Sequence, residues 1–135
     1  MINRYPAKQI GRIGELFIGY ILEKEGYHTT ICDAEGFDII VWKNHFVKRI
    51  QVKSTSVLIR NPKINYYNFT IGLGANKNNL QEYAYDILAL VAIDTELCNF
   101  YAANVHKGKT VKIKPDFLYE PMAAIKQFNK IYKRR

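Results

Sequence analysis

Hydrophobic positions along the chain repeat at two different periods, and the change of period outlines its first elements. In QIGRIGELFIGYILEKEGY, from Gln9 to Tyr27, Ile10, Ile13, Leu16, Phe17, Tyr20 and Ile21 recur at three- and four-residue spacing. That spacing predicts an amphipathic helix with this stripe against the core, and Gly26 is placed to cap its C-terminus. From Gly36 to Ser54, GFDIIVWKNHFVKRIQVKS, the apolar residues alternate instead. Phe37, Ile39, Val41, Phe46, Ile50 and Val52 share one side, broken only by Lys43 and Lys48, and the other side carries Asp38, Ile40, Trp42, Val47, Arg49, Gln51 and Lys53. The pattern predicts a β-hairpin that turns at Asn44-His45 and faces its apolar side inward.

A two-residue turn there sets the register. Lys43 faces Phe46, Ile40 faces Arg49 and Asp38 faces Gln51. Opposed Cβ atoms on one face lie about 4.5–5.5 Å apart. A carboxylate, an amide and the ammonium of Lys53 therefore meet at one end of the polar face, and a slip of one residue would separate them.

Further along, NYYNFTI (Asn65 to Ile71) reads as a strand and DILALVAID (Asp86 to Asp94) as a buried strand. LCNFYAANV (Leu97 to Val105) is its hairpin partner across Thr95-Glu96. Lys107, Lys109, Lys112 and Lys114 alternate with Gly108, Val111 and Ile113 in a basic strand, and PMAAIKQFNKIY from Pro121 is a terminal helix. The stretch Gly72 to Tyr85 is polar and turn-rich, a loop with a short helix. Its Gly72-Leu73-Gly74 lacks the strand–helix context of a nucleotide fingerprint. Tyr66, Tyr67 and Phe69 suit sheet packing more than stacking on bases. Asp86 and Asp94, bracketing an apolar strand, suit capping or turn formation.

The first helix contains an unusual acid. Glu15 lies off the apolar stripe among Gly11, Ile18, Gly19 and Leu22, with Arg12 as its nearest charge. Each glycine inside a helix costs about 1 kcal/mol relative to alanine, so Gly11, Gly14 and Gly19 predict close approach of another backbone or a ligand. Glu15 is thus expected to point toward the polar face of the hairpin.

Taken in order, Gly14-Glu15 on a helix, Gly36-Phe37-Asp38 on a strand and Gln51-Val52-Lys53-Ser54 on the next resemble the PD-(D/E)XK nuclease superfamily. Within it the likeness is to archaeal-type Holliday-junction resolvases and to small intron-associated (homing) endonucleases with a Gln-x-Lys motif. It spans residues 10–55; beyond them only the succession of strands and a final helix agrees. Two positions depart from the usual pattern. Phe37 replaces a proline that supplies no ligand, and Gln51 replaces an acid whose charge the site would lack.

The resemblance implies an α/β, restriction-endonuclease-like core, with a mixed central β-sheet flanked by an N-terminal and a C-terminal helix. It also implies hydrolysis of DNA phosphodiester bonds. Asp38, the Gln51 side chain and the Val52 carbonyl would hold Mg²⁺, with Mn²⁺ as substitute, and Glu15 would complete the shell directly or through water. Lys53 would orient the attacking water or neutralise developing charge. Asp33 and Glu35 are reserve ligands, better explained by loop solvation.

Composition sets the bounds. With 135 residues, 48% of them hydrophobic, and no repeat, the chain is expected to form one domain over residues 1–135. No apolar run reaches the length of a membrane span and the polar start MINRYPAKQ is not a signal peptide, which predicts a cytoplasmic protein. Cys32 and Cys98 match no zinc spacing and read as reduced thiols; His28, His45 and His106 also lack ligand spacing. Of the net charge of +8, residues 1–45 contribute −1, residues 46–106 contribute +2 and residues 107–135 contribute +7.

That basic C-terminal segment suits a phosphate backbone. Lys109, Lys112, Lys114, Lys126 and Lys130 are the candidate DNA contacts there, and Arg4, Lys8 and Arg12 form a second set near the proposed site. Cutting both strands predicts a homodimer or larger symmetric assembly. Two other readings stay open: a nucleic-acid-binding module derived from a nuclease but no longer catalytic, and an interaction protein without nucleic acid.

Overall fold

The computed structural model describes residues 5–71, 84–106 and 108–134. Helix α1 (Ala7–Lys24) is followed by strands β1 (His28–Ala34), β2 (Phe37–Lys43), β3 (Phe46–Thr55), β4 (Ile59–Arg60) and β5 (Asn65–Thr70). Then come β6 (Ile87–Ala92), β7 (Leu97–Ala102), β8 (Thr110–Ile113), a 3-10 turn at Pro115–Phe117 and α2 (Pro121–Tyr132). The main sheet has the order β1-β2-β3-β6-β7 and is mixed, because β3 runs parallel to β6 while its other neighbours are antiparallel. A second sheet, β4-β5-β8, packs over its other face. This is the α/β class expected, with a mixed sheet and a helix from each end of the chain.

Both faces of β6 are buried, as its uninterrupted apolar run requires. On one face Ile87, Ala89 and Val91 meet α1 and α2 with Ile39, Val41, Ile50 and Val52. On the other, Leu88, Leu90 and Ala92 meet Tyr67, Phe69, Val111 and Ile113 from the second sheet. Tyr132 ties the layers at the hairpin turn: its hydroxyl accepts the Lys43 N–H at 3.0 Å and donates to the Phe46 carbonyl. No helix among the described residues is long and apolar enough to cross a membrane.

The hairpin register is the one predicted, with Lys43 opposite Phe46 and Ile40 opposite Arg49. Asn44 takes the positive φ of 59° that the turn needs. Several expectations are corrected. The β6–β7 turn spans Ile93 to Glu96 rather than Thr95-Glu96, with Ala92 opposite Leu97, and β8 takes only Thr110–Ile113 of the basic stretch. Leu16 and Tyr20 of the predicted stripe are exposed, and α1 instead buries Ile10, Gly14, Ile18, Gly19, Ile21 and Leu22. Phe37 packs in the second-sheet cluster rather than with Ile39, as β1 shifts register before the Glu35-Gly36 turn. β1 had no sequence signal, being a polar, threonine-containing edge strand without apolar alternation. Of the predicted 72–85 loop, residues 72–83 lie outside the described residues, as do Arg4, Lys107 and Arg135.

Gly14 explains the rotation of α1. A Cβ built there would lie 1.7 Å from Ser54 Oγ and 2.9 Å from Ser54 Cβ, so the helix backbone rests on β3. Gly11 meets nothing within 4 Å and Gly19 only Thr29 Oγ1 at 3.6 Å, so close approach holds for Gly14 alone. Gly14→Ala is expected to cost about 1–3 kcal/mol by overpacking. In urea unfolding, a Ser54→Gly background should make that cost smaller; strictly additive effects would show that this contact does not set the helix position.

Asp86 links β3 to β6. Its carboxylate accepts the Arg49 backbone N–H at 2.8 Å, Nε at 3.2 Å and Nη2 at 3.3 Å. Burial alone would raise its pKa, but the Arg49 hydrogen bonds and the charges of Arg49 and Lys48 outweigh burial and leave it below the ordinary 3.8. A carboxyl depressed in the folded state contributes stability above its unfolded pKa and loses it as pH falls through the folded value. Asp86→Asn should therefore lower the urea midpoint at neutral pH and flatten its decline in acid; superimposable pH profiles would count against the pair.

Candidate active site

The site forms where the β2–β3 ladder ends. Its last paired residues at this end are Ile39 and Ile50, and beyond them side chains replace backbone partners. Asp38 Oδ2 accepts the Val52 N–H at 2.8 Å and the Gln51 Nε2–H at 2.7 Å, and the same amide nitrogen lies 3.3 Å from the Val52 carbonyl oxygen. Asp38 and Gln51 thus meet as the register predicts. Gln51 is 6% exposed, so its amide is held in place by packing as well as by these bonds.

Parallel pairing sets which way β3 points its side chains. Gln51 pairs with Leu88 and Lys53 with Leu90, so both look toward the second-sheet side, whereas Val52 pairs with Ala89 and looks toward the helices. Lys53, half-buried, follows Gln51 on the same face. α1 packs on the helix side of β3, so half-buried Glu15, next to the glycine that rests on Ser54, stands across the sheet from the face of Gln51 and Lys53 rather than over that polar face as expected. The structure therefore joins Asp38, Gln51 and Val52 by direct bonds and sets Lys53 beside them on the strand, while Glu15 lies on the helix layered against the other face.

The donor chemistry fits a hard divalent cation only through mixed ligands. Among the described residues no three His, Cys, Asp or Glu side chains are grouped to hold a metal. The Gln51 amide nitrogen sits between two acceptors, the Asp38 carboxylate and the Val52 carbonyl. Turned over, the amide would present its oxygen to the same place, where three oxygens would repel one another without a cation and could coordinate one with it. Glu35 is exposed in the β1–β2 turn; the side chain of Asp33 lies outside the described residues. Neither Cys32 nor Cys98 is in a disulfide; Cys32 Sγ donates to the Asp38 carbonyl at 3.6 Å, and burial pushes the Cys98 thiol up to about 12, so it stays protonated.

The basic residues are divided by the sheet. Lys112 is exposed on β8 and Lys109 and Lys114 on either side of it, on the second-sheet side, while Lys126 and Lys130 are exposed on α2, on the helix side. The basic C-terminal segment is therefore two patches. Lys8 and Arg12 are exposed on the first turns of α1. Tyr67 and Phe69 are core residues, whereas half-buried Tyr66 carries the Lys112 ammonium 5.1 Å from its ring centroid. Sequence reading overlooked Arg60 and Lys63, which flank the β4–β5 turn; two isolated cations in an unassigned segment left no signal. An open groove of ≈ 490 Å³, lined by Lys48, Asp86, Asn104 and Arg134, lies toward the other end of β3, and Asp86 there is committed to Arg49.

No family model and no curated protein matches the sequence. A solved structure does match in fold: a bacterial homing endonuclease, I-Ssp6803I, superposes with a TM-score of 0.68 over 81% of this chain and 78% of that one, at 14% identity. The chain has a nuclease-like fold. At that identity the likeness rests on the path of the backbone, so what this chain does depends on the side chains the fold brings together.

Proposed function

We propose that this protein is a Mg²⁺-dependent DNA endonuclease that hydrolyses phosphodiester bonds at Asp38, Gln51, Val52 and Lys53, with Glu15 contributing from α1. The observation that carries the reading is the convergence of the Asp38 carboxylate, the Gln51 amide and the Val52 carbonyl at a ladder end, one residue from a lysine. Their fold resembles that of a homing endonuclease.

Asp38 supplies charge and the Gln51 and Val52 oxygens supply neutral ligands, with Glu15 acting directly or through water. Mg²⁺ held by these residues, or Mn²⁺ in its place, would supply Lewis-acid chemistry, neutralising phosphate charge and lowering the pKa of the attacking water. Water oxygen forms the new bond to phosphorus as the bond to the leaving sugar oxygen breaks. Lys53 orients that water or offsets the charge that gathers on the phosphoryl oxygens. Lys8, Arg12, Lys109, Lys112, Lys114, Lys126 and Lys130, with Arg4, supply phosphate contacts. Cleavage of both strands calls for a homodimer or higher symmetric oligomer, acting inside the cell.

The substrate is branched DNA, as for a Holliday-junction resolvase, or a duplex site, as for a homing-type enzyme. The test is cleavage of a labelled four-way junction and its matching duplex with Mg²⁺, Mn²⁺ or EDTA. Metal-dependent cutting supports the reading and the preferred substrate chooses between its forms. One observation favours a second reading, a nuclease-derived module that only binds: with its nitrogen toward Asp38, Gln51 satisfies the site without a cation. That reading expects salt-sensitive binding, no cutting, and no response to Mg²⁺.

A further inference from the structure

The second sheet has two unlike faces. Tyr67 and Phe69 of β5, with Val111 and Ile113 of β8, point into the core. The alternate residues Asn68, Thr70, Thr110 and Lys112 point outward, with Asn68 opposite Lys112 and Thr70 opposite Thr110. We propose that this outer face reads base edges in the major groove of duplex DNA. The inference rests on the nuclease reading for its substrate and narrows that substrate from branched to duplex DNA.

Charge is the first argument. The chain has no Asp or Glu between Asp38 and Glu82, or between Glu96 and Asp116, and these two segments supply every strand of the second sheet. They hold eleven of the twenty Lys and Arg residues and none of the twelve acids. A solvated face made only for solubility mixes both signs. On and beside the second sheet, Arg60, Lys63, Lys109, Lys112 and Lys114 are exposed, and its strands carry no acid.

Chemistry is the second. A face that only gripped phosphate would need cations, yet three of the four outward residues are neutral. Asparagine pairs with adenine, lysine with guanine, and threonine hydrogen-bonds a base edge or packs on the thymine methyl. Asn68 is half-exposed with its amide oxygen shielded, so its amide nitrogen is the group offered outward, beside the exposed Lys112, whose ammonium lies over the Tyr66 ring at the edge of the same face.

Shape is the third. β4 pairs with β5 only at Asn65 and Tyr66, so over Tyr67 to Thr70 the sheet is a two-stranded ribbon of β5 and β8. The major groove, about 12 Å wide, admits such a ribbon. Successive outward residues on a strand are about 6.8 Å apart, two base-pair steps of about 3.4 Å each.

Two features hold the ribbon in place. Only Ser56, Val57 and Leu58 separate β3 from β4, and β4 pairs with the start of β5, so the reading face is tied through β4 to the strand that carries Lys53. At the β4–β5 turn, Asn61 Oδ1 accepts the N–H groups of Lys63 at 3.0 Å and Ile64 at 2.8 Å. That closed turn presents Arg60 and Lys63 to flanking phosphates.

The test selects bound sequences from a randomised duplex library, using the full chain in EDTA so that binding is scored without cutting. The intact protein should enrich defined bases at several positions. Asn68→Ala and Lys112→Ala should each flatten a different position, lowering its discrimination about 10- to 100-fold. Lys126→Ala with Lys130→Ala should weaken all sequences alike, as phosphate contacts do. Thermal melting near that of the intact protein shows that each variant is folded, as outward side chains predict. The proposal is overturned if the library returns no base preference, or if folded Asn68→Ala and Lys112→Ala keep the preference of the parent. Enrichment by a protein that never cuts in Mg²⁺ would retain this proposal and remove the nuclease reading, while cutting without enrichment would do the reverse.

Discussion

Asp38→Asn is expected to bring Mg²⁺-dependent cleavage to background, and Lys53→Ala to slow it about 10²- to 10³-fold. Asparagine is the informative replacement at Asp38 because of the ladder end. The carboxylate oxygen satisfies both the Val52 N–H and the Gln51 amide. Asp38→Ala would leave these donors unpaired in a half-buried setting, at about 1–3 kcal/mol each, and lost activity could then reflect a disturbed strand end. An asparagine oxygen can still accept those bonds while the charge that attracts the cation is gone. Single-turnover cleavage at saturating DNA, together with a melting curve for each variant, separates the two effects. Parental rates in Mg²⁺ for folded Asp38→Asn and Lys53→Ala would remove this site from the chemistry.

Gln51→Glu should convert a site that is satisfied without metal into one that needs it. The amide now donates to Asp38 at 2.7 Å, and the substitution would oppose two carboxylates over that distance. Without metal, their repulsion raises at least one of the two pKa values. A carboxyl raised in the folded state lowers stability as pH rises through its unfolded pKa of about 4.3 toward the folded value, the reverse of Asp86. In EDTA at neutral pH the variant should therefore melt below the parent. Mg²⁺ should restore it: at a concentration 100 times its Kd, a ligand adds about 2.7 kcal/mol. The parent, with one fewer charge, should respond much less. Equal melting in EDTA and an equal response to Mg²⁺ would mean that the two side chains do not share a cation site.

The reading of the hairpin shows how local order can reveal a site. The positions of Asp38 and Gln51 followed from alternation and a two-residue turn, since a strand has only two faces and a short turn leaves little freedom of register. The terminal helix was legible from its periodicity and β6 with β7 from their apolar runs. The turn between those strands takes four residues, Ile93 to Glu96, not the two expected, because an unbroken apolar run does not mark where its strand ends. The face of α1 was not. Its apolar stripe was broad enough to be centred on Leu16 and Tyr20, and only the contact between Gly14 and Ser54 shows which way the helix turns. β1 was invisible because an edge strand buries little and needs no apolar alternation.

Charge shows the same division. Summed along the chain, the basic excess near the C-terminus reads as one patch, but β8 and α2 lie on opposite sides of the main sheet and split it in two. The sequence by itself determined the periodic elements, the register of the central hairpin and the adjacency of Asp38 to Gln51, because these depend on neighbours a few residues apart. Tertiary structure decided the rotation of α1, the side of the sheet to which Gln51 and Lys53 turn, and the pairing of β5 with β8. Those depend on contacts between segments distant in the chain, where packing of whole surfaces overrides the preference of any one stretch.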